Sequence, residues 1–462
     1  MNDTNKSRHQ MTRREMLKLM GTTAAVGAIG FSPSLVSNLF AGPQKPNVVF
    51  ILGDDHRWDH LGCAGHPFLQ TPNLDRLADQ GVLFKNAFVT TSLCSPSRAS
   101  FLTGTYAHTH GVKNNITPWT GKQKTFLEGF KEAGYATAFI GKWHMPGDGL
   151  PKLPYLDLFV SFTEKSGQGL YYNCPLYENG VKSKSRKEYI TEELTDRAIR
   201  FIRSNSHKPF SLVLSHKAAH NMYLPPGNMK NLYTDEKIDM PDDIDIWTPM
   251  TQGNIYEGHM GLLKMHYRNY CRTLTGLDYE IGRLLDAIDK LGLQNNTVVV
   301  YAGDNGLLWG EHRHINKYWH YEESIRIPFI IRAPWLSDSK GTKRDQLVLN
   351  IDLAPTLWDI AGIQRQDPIE GQSLVPIIKK RDAAIREAFL FEYYKNYPYP
   401  IPTYYGVRTQ KHKYVEFEGG MEPELYNLAV DPHEKDNLYE KADAAHIQKE
   451  LCALLKNIKP RK

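Results

Sequence analysis

One run of residues constrains this chain more than any other. Residues 47–52 read Asn-Val-Val-Phe-Ile-Leu and stop at Gly53-Asp54-Asp55. A strand with one solvated face alternates apolar and polar residues, and this run does not. It suits a strand covered on both faces, as in a parallel sheet between two layers of helices. Further apolar runs at Ala136–Ile140, Phe210–Leu214, Thr297–Tyr301 and Pro328–Ile331 repeat the pattern. Helical periodicity fills the gaps, notably over Thr71–Ala78, which has Pro72 in its first turn, and over Glu192–Ser204 and Leu262–Leu291. Strand and helix alternating over roughly 300 residues predict an α/β fold with a large, mostly parallel central sheet sandwiched by helices.

From about Asp382 the texture changes. Phe389–Tyr394, Tyr405–Thr409 and His412–Phe417 read as short antiparallel strands, with a terminal helix over Ala442–Ile458. The N-terminus is different again: Arg13-Arg14 precedes a short Gly/Ala-rich apolar segment ending near Phe31. That is the pattern of a twin-arginine export signal, too short and too weakly apolar for a membrane span. The expected organisation is therefore an export signal over 1–41, a catalytic α/β domain over 42–381 and a small C-terminal α+β subdomain over 382–462. The signal implies the twin-arginine translocation machinery as a partner, a periplasmic or secreted protein, and no stable membrane span after cleavage.

Composition narrows the function classes. A hydrophobic fraction of 41% excludes intrinsic disorder, because there is enough apolar surface to offset chain entropy. The net charge of +5 hints at a polyanion partner, but the first 41 residues hold five basic and two acidic side chains. About +2 remains beyond them, the basic residues are scattered, and no nucleic-acid motif is present, so no nucleic-acid partner is expected. Five cysteines cannot build a disulfide scaffold in 462 residues, and the odd count leaves one thiol for another use.

Parallel α/β sheets carry their sites at the carboxyl ends of strands. Asp54-Asp55 closes the first run, Asp304-Asn305 follows the run at Thr297–Tyr301, and His216 and His220 follow Phe210–Leu214. Adjacent carboxylates repel, and a pair aimed into a cleft calls for a cation. Three aspartates and one asparagine offer oxygen only, which favours calcium or magnesium over zinc.

The segment Cys94-Ser95-Pro96-Ser97-Arg98, followed by Leu102-Thr103-Gly104, resembles the signature of the type I sulfatases of the alkaline-phosphatase-like superfamily. The likeness extends to Gly141-Lys142-Trp143-His144, to Gly303-Asp304-Asn305-Gly306 with Lys317 downstream, and to Glu424-Leu425-Tyr426-Asn427-Leu428 near the end. It implies that Cys94 is oxidised to formylglycine (3-oxoalanine) by a maturation enzyme, and that its aldehyde hydrate is the nucleophile. It also implies one Ca2+, with Mg2+ as the alternative, held by Asp54, Asp55, Asp304, Asn305 and an oxygen of modified Cys94. Arg98 would hold the hydrate, Lys142 and Lys317 the sulfate oxygens, and His144 and His220 the protons in transit. Ala218-Ala219-His220 departs from the family's Pro-His-x-Pro, which makes His216 the reserve for His220.

The resemblance implies a sulfuric ester hydrolase acting on a sulfated carbohydrate, with an N-acetylglucosamine-6-sulfatase-like activity on a glycosaminoglycan-type sugar or an activity on an algal polysaccharide as the two alternatives. Two rivals share the fold: a phosphonate or phosphodiester hydrolase, and a catalytically silent glycan-binding protein. Aromatic and basic loop residues, among them Trp58, Tyr171, Trp309, His314 and Trp319, are candidates for stacking on a sugar. Cys63, Cys174, Cys271 and Cys452 read as structural thiols, without metal-ligand spacing.

Overall fold

The computed structural model describes residues 45–460, apart from 148, 163–166, 241–259, 337–339, 366–367 and 396–398. The export signal expected over 1–41 lies outside the described residues. Among the described residues the main sheet has ten strands. In spatial order they are Thr342–Leu349, Val82–Phe88, Phe329–Arg332, Thr297–Gly303, Asn47–Gly53, Phe210–Ser215, Ala136–Gly141, Leu158–Phe162, Leu176–Glu178 and Val181–Ser183.

The unbroken apolar run has the expected cause. Val48, Phe50 and Leu52 join one buried cluster while Val49 and Ile51 join the other, because successive side chains leave opposite faces of the strand. Val298, Val300 and Ala302 against Val299 and Tyr301 divide in the same way. Helices Ile190–Asn205 and Met260–Lys290 cover one face, packed against each other. Helices Cys94–Thr103, Phe126–Glu132 and Leu353–Ala361 pack together, with their apolar residues in the other cluster.

The strands Asn47–Gly53, Phe210–Ser215, Ala136–Gly141 and Thr297–Gly303 run parallel. The strand anticipated at Pro328–Ile331 forms as Phe329–Arg332 and is antiparallel to both neighbours, so the sheet is mixed on that side. Strands Val82–Phe88 and Thr342–Leu349 escape a periodicity reading because Lys85, Lys343 and Asp345 interrupt them with charge at the sheet margin. The C-terminal strands Ala388–Tyr393, Tyr404–Thr409, His412–Phe417 and Glu424–Asn427 make a separate antiparallel sheet, backed by helix Ala445–Ile458. From Lys45 onward the chain is one compact unit, and the boundary read at 382 marks a change of sheet within it. Among the described residues no helix is long and apolar enough to cross a membrane.

Candidate active site

Four strands finish level with one another. Leu52 is paired with Ser215 and Ala302, and Gly141 with Ser215, so the residues that follow leave the sheet at a common edge. Close backbone approach makes this edge tight: a Cβ on Gly141 would meet the Ser215 carbonyl oxygen at 1.8 Å, and Gly141 has a φ of +117°. Lys142 N–H donates to that same carbonyl (2.8 Å), which fixes the exit of Lys142. Asp304 N–H donates to Gly53 O (2.9 Å), and Asp54 N–H to Ala218 O (2.8 Å).

These exits bring the expected residues together. Asp54, Asp55 and Asp304 present carboxylate oxygens within 4.8 Å of one another, and all three are buried. Asp55 takes a left-handed φ of 54°, and its N–H donates to Asp304 Oδ1 (2.9 Å). Asn305 donates from Nδ2 to Asp55 Oδ1 (2.7 Å), while its Oδ1 is buried without a partner. Cys94 opens the helix Cys94–Thr103, every residue of which is buried, and its Sγ lies 3.7 Å from Asp54 Oδ1. One turn on, Arg98 donates from Nε to Asp304 Oδ2 (2.9 Å), and its Nη2 forms an ion pair with the same oxygen (2.8 Å). Its Nη1 donates to Lys142 O (2.8 Å) and Ser215 Oγ (2.5 Å). Lys142 Nζ reaches Asp54 Oδ2 (2.5 Å), and Lys317 Nζ reaches Asp55 Oδ1 and Cys94 Sγ, the latter at 2.9 Å.

The two histidine candidates separate. His220 Nε2 lies 3.8 Å from Asp55 Oδ2, held there because Ala219 N–H donates to Asp54 O (2.7 Å). His216 is fully buried with neither ring nitrogen paired, and burial alone pushes its pKa down to about 3. Of the two, His220 is the one that stands beside the carboxylates. His144 follows Lys142 and has a φ of 52°. Two partners of the site were not legible in the sequence: Ser215, whose hydroxyl donates to Lys142 O (2.8 Å), and Gln168, whose amide nitrogen lies 3.0 Å from His144 Nε2. Neither has a motif around it, since both act through contacts made over long sequence separations.

The electrostatics follow from the crowding. Burial works against a charged Asp54, yet Lys142, His220, Arg98 and Lys317 hold its pKa well below the ordinary value. Asp304 is pushed up, first by burial and then by Asp54. Three carboxylates face three permanent cations, Arg98, Lys142 and Lys317, so these groups cancel without a metal.

Two other clusters of ligating side chains occur among the described residues, and neither matches this oxygen set. His60, His66 and Cys271 lie together, but His66 Nδ1 accepts from Leu69 N–H (3.0 Å), which leaves the ring proton on Nε2. In the cluster His312, Glu323 and Glu434, the Lys413 ammonium already sits 2.7 Å from Glu434 Oε1.

Several aromatic residues anticipated as a sugar platform are packing residues instead. Trp309 is buried among Tyr223, Tyr267 and Tyr270, Tyr171 is 2% exposed, and Trp319 is buried with its ring stacked on His314. Trp58 is covered by the Arg326 guanidinium at 3.8 Å. A ring buried in the core cannot also stack on a ligand, whereas Trp58 is half-buried.

Comparison with known proteins gives the family. The Sulfatase family matches residues 46–363, and the family described as N-sulphoglucosamine sulphohydrolase, C-terminal, matches 310–461. The chain is 32% identical to an N-acetylglucosamine-6-O-sulfatase of Bacteroides thetaiotaomicron, over 90% of this chain and 87% of that one. It is 32% identical to an ulvan-active sulfatase of Formosa agariphila, over 89% and 81%. A solved structure of a protein with its substrate D-glucosamine-2-N,6-O-disulfate superposes with a TM-score of 0.80 at 29% identity, covering 90% of this chain and 97% of the other. A phosphonate monoester hydrolase of Agrobacterium radiobacter, at 22% identity and a TM-score of 0.75 over 90% and 97%, shares the fold. This chain belongs to the sulfatase family, and the enzyme it encodes is a sulfatase.

Proposed function

We propose that this sulfatase removes sulfate from a sulfated carbohydrate, with 6-O-sulfated glucosamine as the substrate class its relatives favour. It would do so with a formylglycine made from Cys94 and one divalent cation, calcium before magnesium. The observation that carries the reading is the meeting of Cys94, three buried carboxylates and three buried cations at one edge of the sheet. The relatives that act on N-acetylglucosamine-6-sulfate and ulvan, and the neighbour holding glucosamine disulfate, support the choice of substrate.

The donor set fits a hard cation. Asp54, Asp55 and Asp304 offer carboxylate oxygens, and Asn305 Oδ1 is a buried acceptor without a donor. Sulfur is a poor fifth ligand for such an ion, whereas an oxygen on the Cβ of residue 94 matches it. When bound, the cation would polarise a sulfate oxygen and stabilise charge on the nucleophile. The modified side chain would supply that nucleophile.

The protein's own residues do the rest. Three carboxylates and three cations cancel, so a divalent ion leaves the site with a surplus of about two positive charges for an anionic ester. Arg98 locks the helix start to Asp304 and keeps residue 94 beside Asp54. Lys317 touches residue 94 and Lys142 pairs with Asp54 beside it, and the two would neutralise the sulfuryl oxygens. His220, beside Asp55 and partly exposed, is placed to exchange a proton with solvent and the leaving oxygen.

The test is sulfate release from a panel of 6-O-, 3-O- and N-sulfated glucosamines, ulvan oligosaccharides and an aryl sulfate, with a phosphonate monoester alongside. The enzyme is made with and without co-expressed maturation enzyme. The proposal expects release from a 6-O-sulfated glucosamine that requires maturation. Faster turnover of the phosphonate, or full activity with an intact Cys94 thiol, would refute it.

A further inference from the structure

Lys317 reaches the site from a strained stretch of backbone. The residues on either side of it, Asn316 and Tyr318, take left-handed φ values of 73° and 89°. Neither is glycine, and a side chain at positive φ is disfavoured, so the conformation persists only where its surroundings enforce it. Upstream the support is slight: Ile315–Asn316 pairs with Leu308–Trp309 in a ribbon of two residues on each side.

Downstream the C-terminal sheet takes over. From strand Tyr404–Thr409, Tyr404 Oη donates to the Tyr318 carbonyl (2.6 Å), and the Tyr318 ring stacks on Tyr399 with centroids 4.5 Å apart. From strand His412–Phe417, Lys413 Nζ donates to the His320 carbonyl (2.8 Å). From strand Glu424–Asn427, Glu424 Oε2 lies 2.9 Å from His320 Nε2. Glu322, which opens the next helical turn, is then held by Arg408 (3.1 Å) and Lys413 (2.9 Å). Of these contacts the Tyr404 hydroxyl is nearest along the chain to Lys317, on the carbonyl of the very next residue. Tyr404 is 1% exposed, so bulk water does not take the place of that hydroxyl when it is lost.

We infer that Tyr404 is a positioning residue for Lys317: its hydrogen bond to the Tyr318 carbonyl holds the strained turn that presents the lysine to Asp55 and residue 94. The inference rests on the role given to Lys317 above. It extends the catalytic apparatus into the C-terminal sheet, beyond the strand ends that carry Asp54, Lys142 and Asp304.

The experiment pairs kinetics with crystallography on the full-length, matured enzyme. Tyr404→Phe deletes the hydroxyl and keeps the ring. It should lower kcat by about 10- to 100-fold with KM changed little, because Lys142 still meets the ester while a displaced ammonium costs alignment in the transition state. Tyr393→Phe is the control. Tyr393 is as deeply buried in the adjacent strand, but among the described residues its hydroxyl has no hydrogen-bond partner, so kcat should stay native. In a Lys317→Met background, Tyr404→Phe should cost nothing further, since the group it positions is gone. Assays run well below the melting temperature of every variant keep unfolding out of the comparison. Crystal structures of the native and Tyr404→Phe enzymes then read the position of Lys317 directly, and its ammonium should have left Asp55 and residue 94. Native kcat in Tyr404→Phe, an equal loss in the Lys317→Met background, or a Lys317 that keeps its place in the variant overturns the inference. If the native enzyme releases no sulfate, the proposed function falls, and the two crystal structures still decide whether Tyr404 positions Lys317.

Discussion

Arg98→Met isolates the electrostatic load of the site. Arg98 is 2% exposed, and its guanidinium donates to Asp304, to the Lys142 carbonyl and to Ser215, with Asp54 Oδ1 3.6 Å away. Methionine keeps most of the length and apolar bulk but removes the charge and every donor. Asp304 and Asp54 are then left buried without their guanidinium, and removing one partner of a buried pair costs about 3–5 kcal/mol. That lowers the folded-to-unfolded ratio by roughly a hundredfold to a few thousandfold. Urea unfolding followed by tryptophan fluorescence, in a chelating buffer, measures it. If uncompensated charge is the cause, adding Asp304→Asn to Arg98→Met should recover part of the loss, a coupling that independent sites would not show. A loss below about 1 kcal/mol for Arg98→Met, or no recovery in the double variant, refutes the reasoning.

Other outcomes follow from the same contacts. Cys94→Ala should abolish turnover while leaving the melting temperature close to native, and in matured enzyme the Cys94 peptide should show the mass deficit of a thiol exchanged for an aldehyde. Chelation should lower the melting temperature and added calcium restore it, because an ion held by Asp54, Asp55 and Asp304 in the folded state alone stabilises that state by mass action; identical melting curves would count against the metal. For His108, burial opposes protonation, but hydrogen bonds to Glu370 and Glu392 outweigh it and raise the pKa to about 9. Its contribution to stability is then complete below pH 6.5 and lost as pH rises through 9, so His108→Gln should flatten the stability profile across that window. Lys413 is fully buried between Glu322 (2.9 Å) and Glu434 (2.7 Å), so Lys413→Met should destabilise by about 3–5 kcal/mol, read by the same urea titration.

Much of the architecture was legible because a strand covered on both faces must be apolar at every position. Val48 to Leu52 and Val298 to Tyr301 announce themselves this way, and the acidic residues just past them mark the edge where chemistry collects. Strands at the sheet margin, such as Thr342–Leu349, carry charge on one face and give no such signal. Aromatic residues misled for a related reason: composition registers Trp309 and Tyr171, but whether a ring faces solvent or core depends on neighbours far along the chain.

By itself the sequence determined the parallel core of the sheet and the acidic residues at its strand ends, because each is encoded by local pattern, while its likeness to one family singled out the motif residues from Asp54 to Lys317. Only the tertiary structure set His220 beside Asp55, since that position hangs on Ala219 hydrogen-bonding to Asp54 across more than 160 residues of chain. Only the tertiary structure joined Gln168 to His144, because no one-dimensional pattern records that distance.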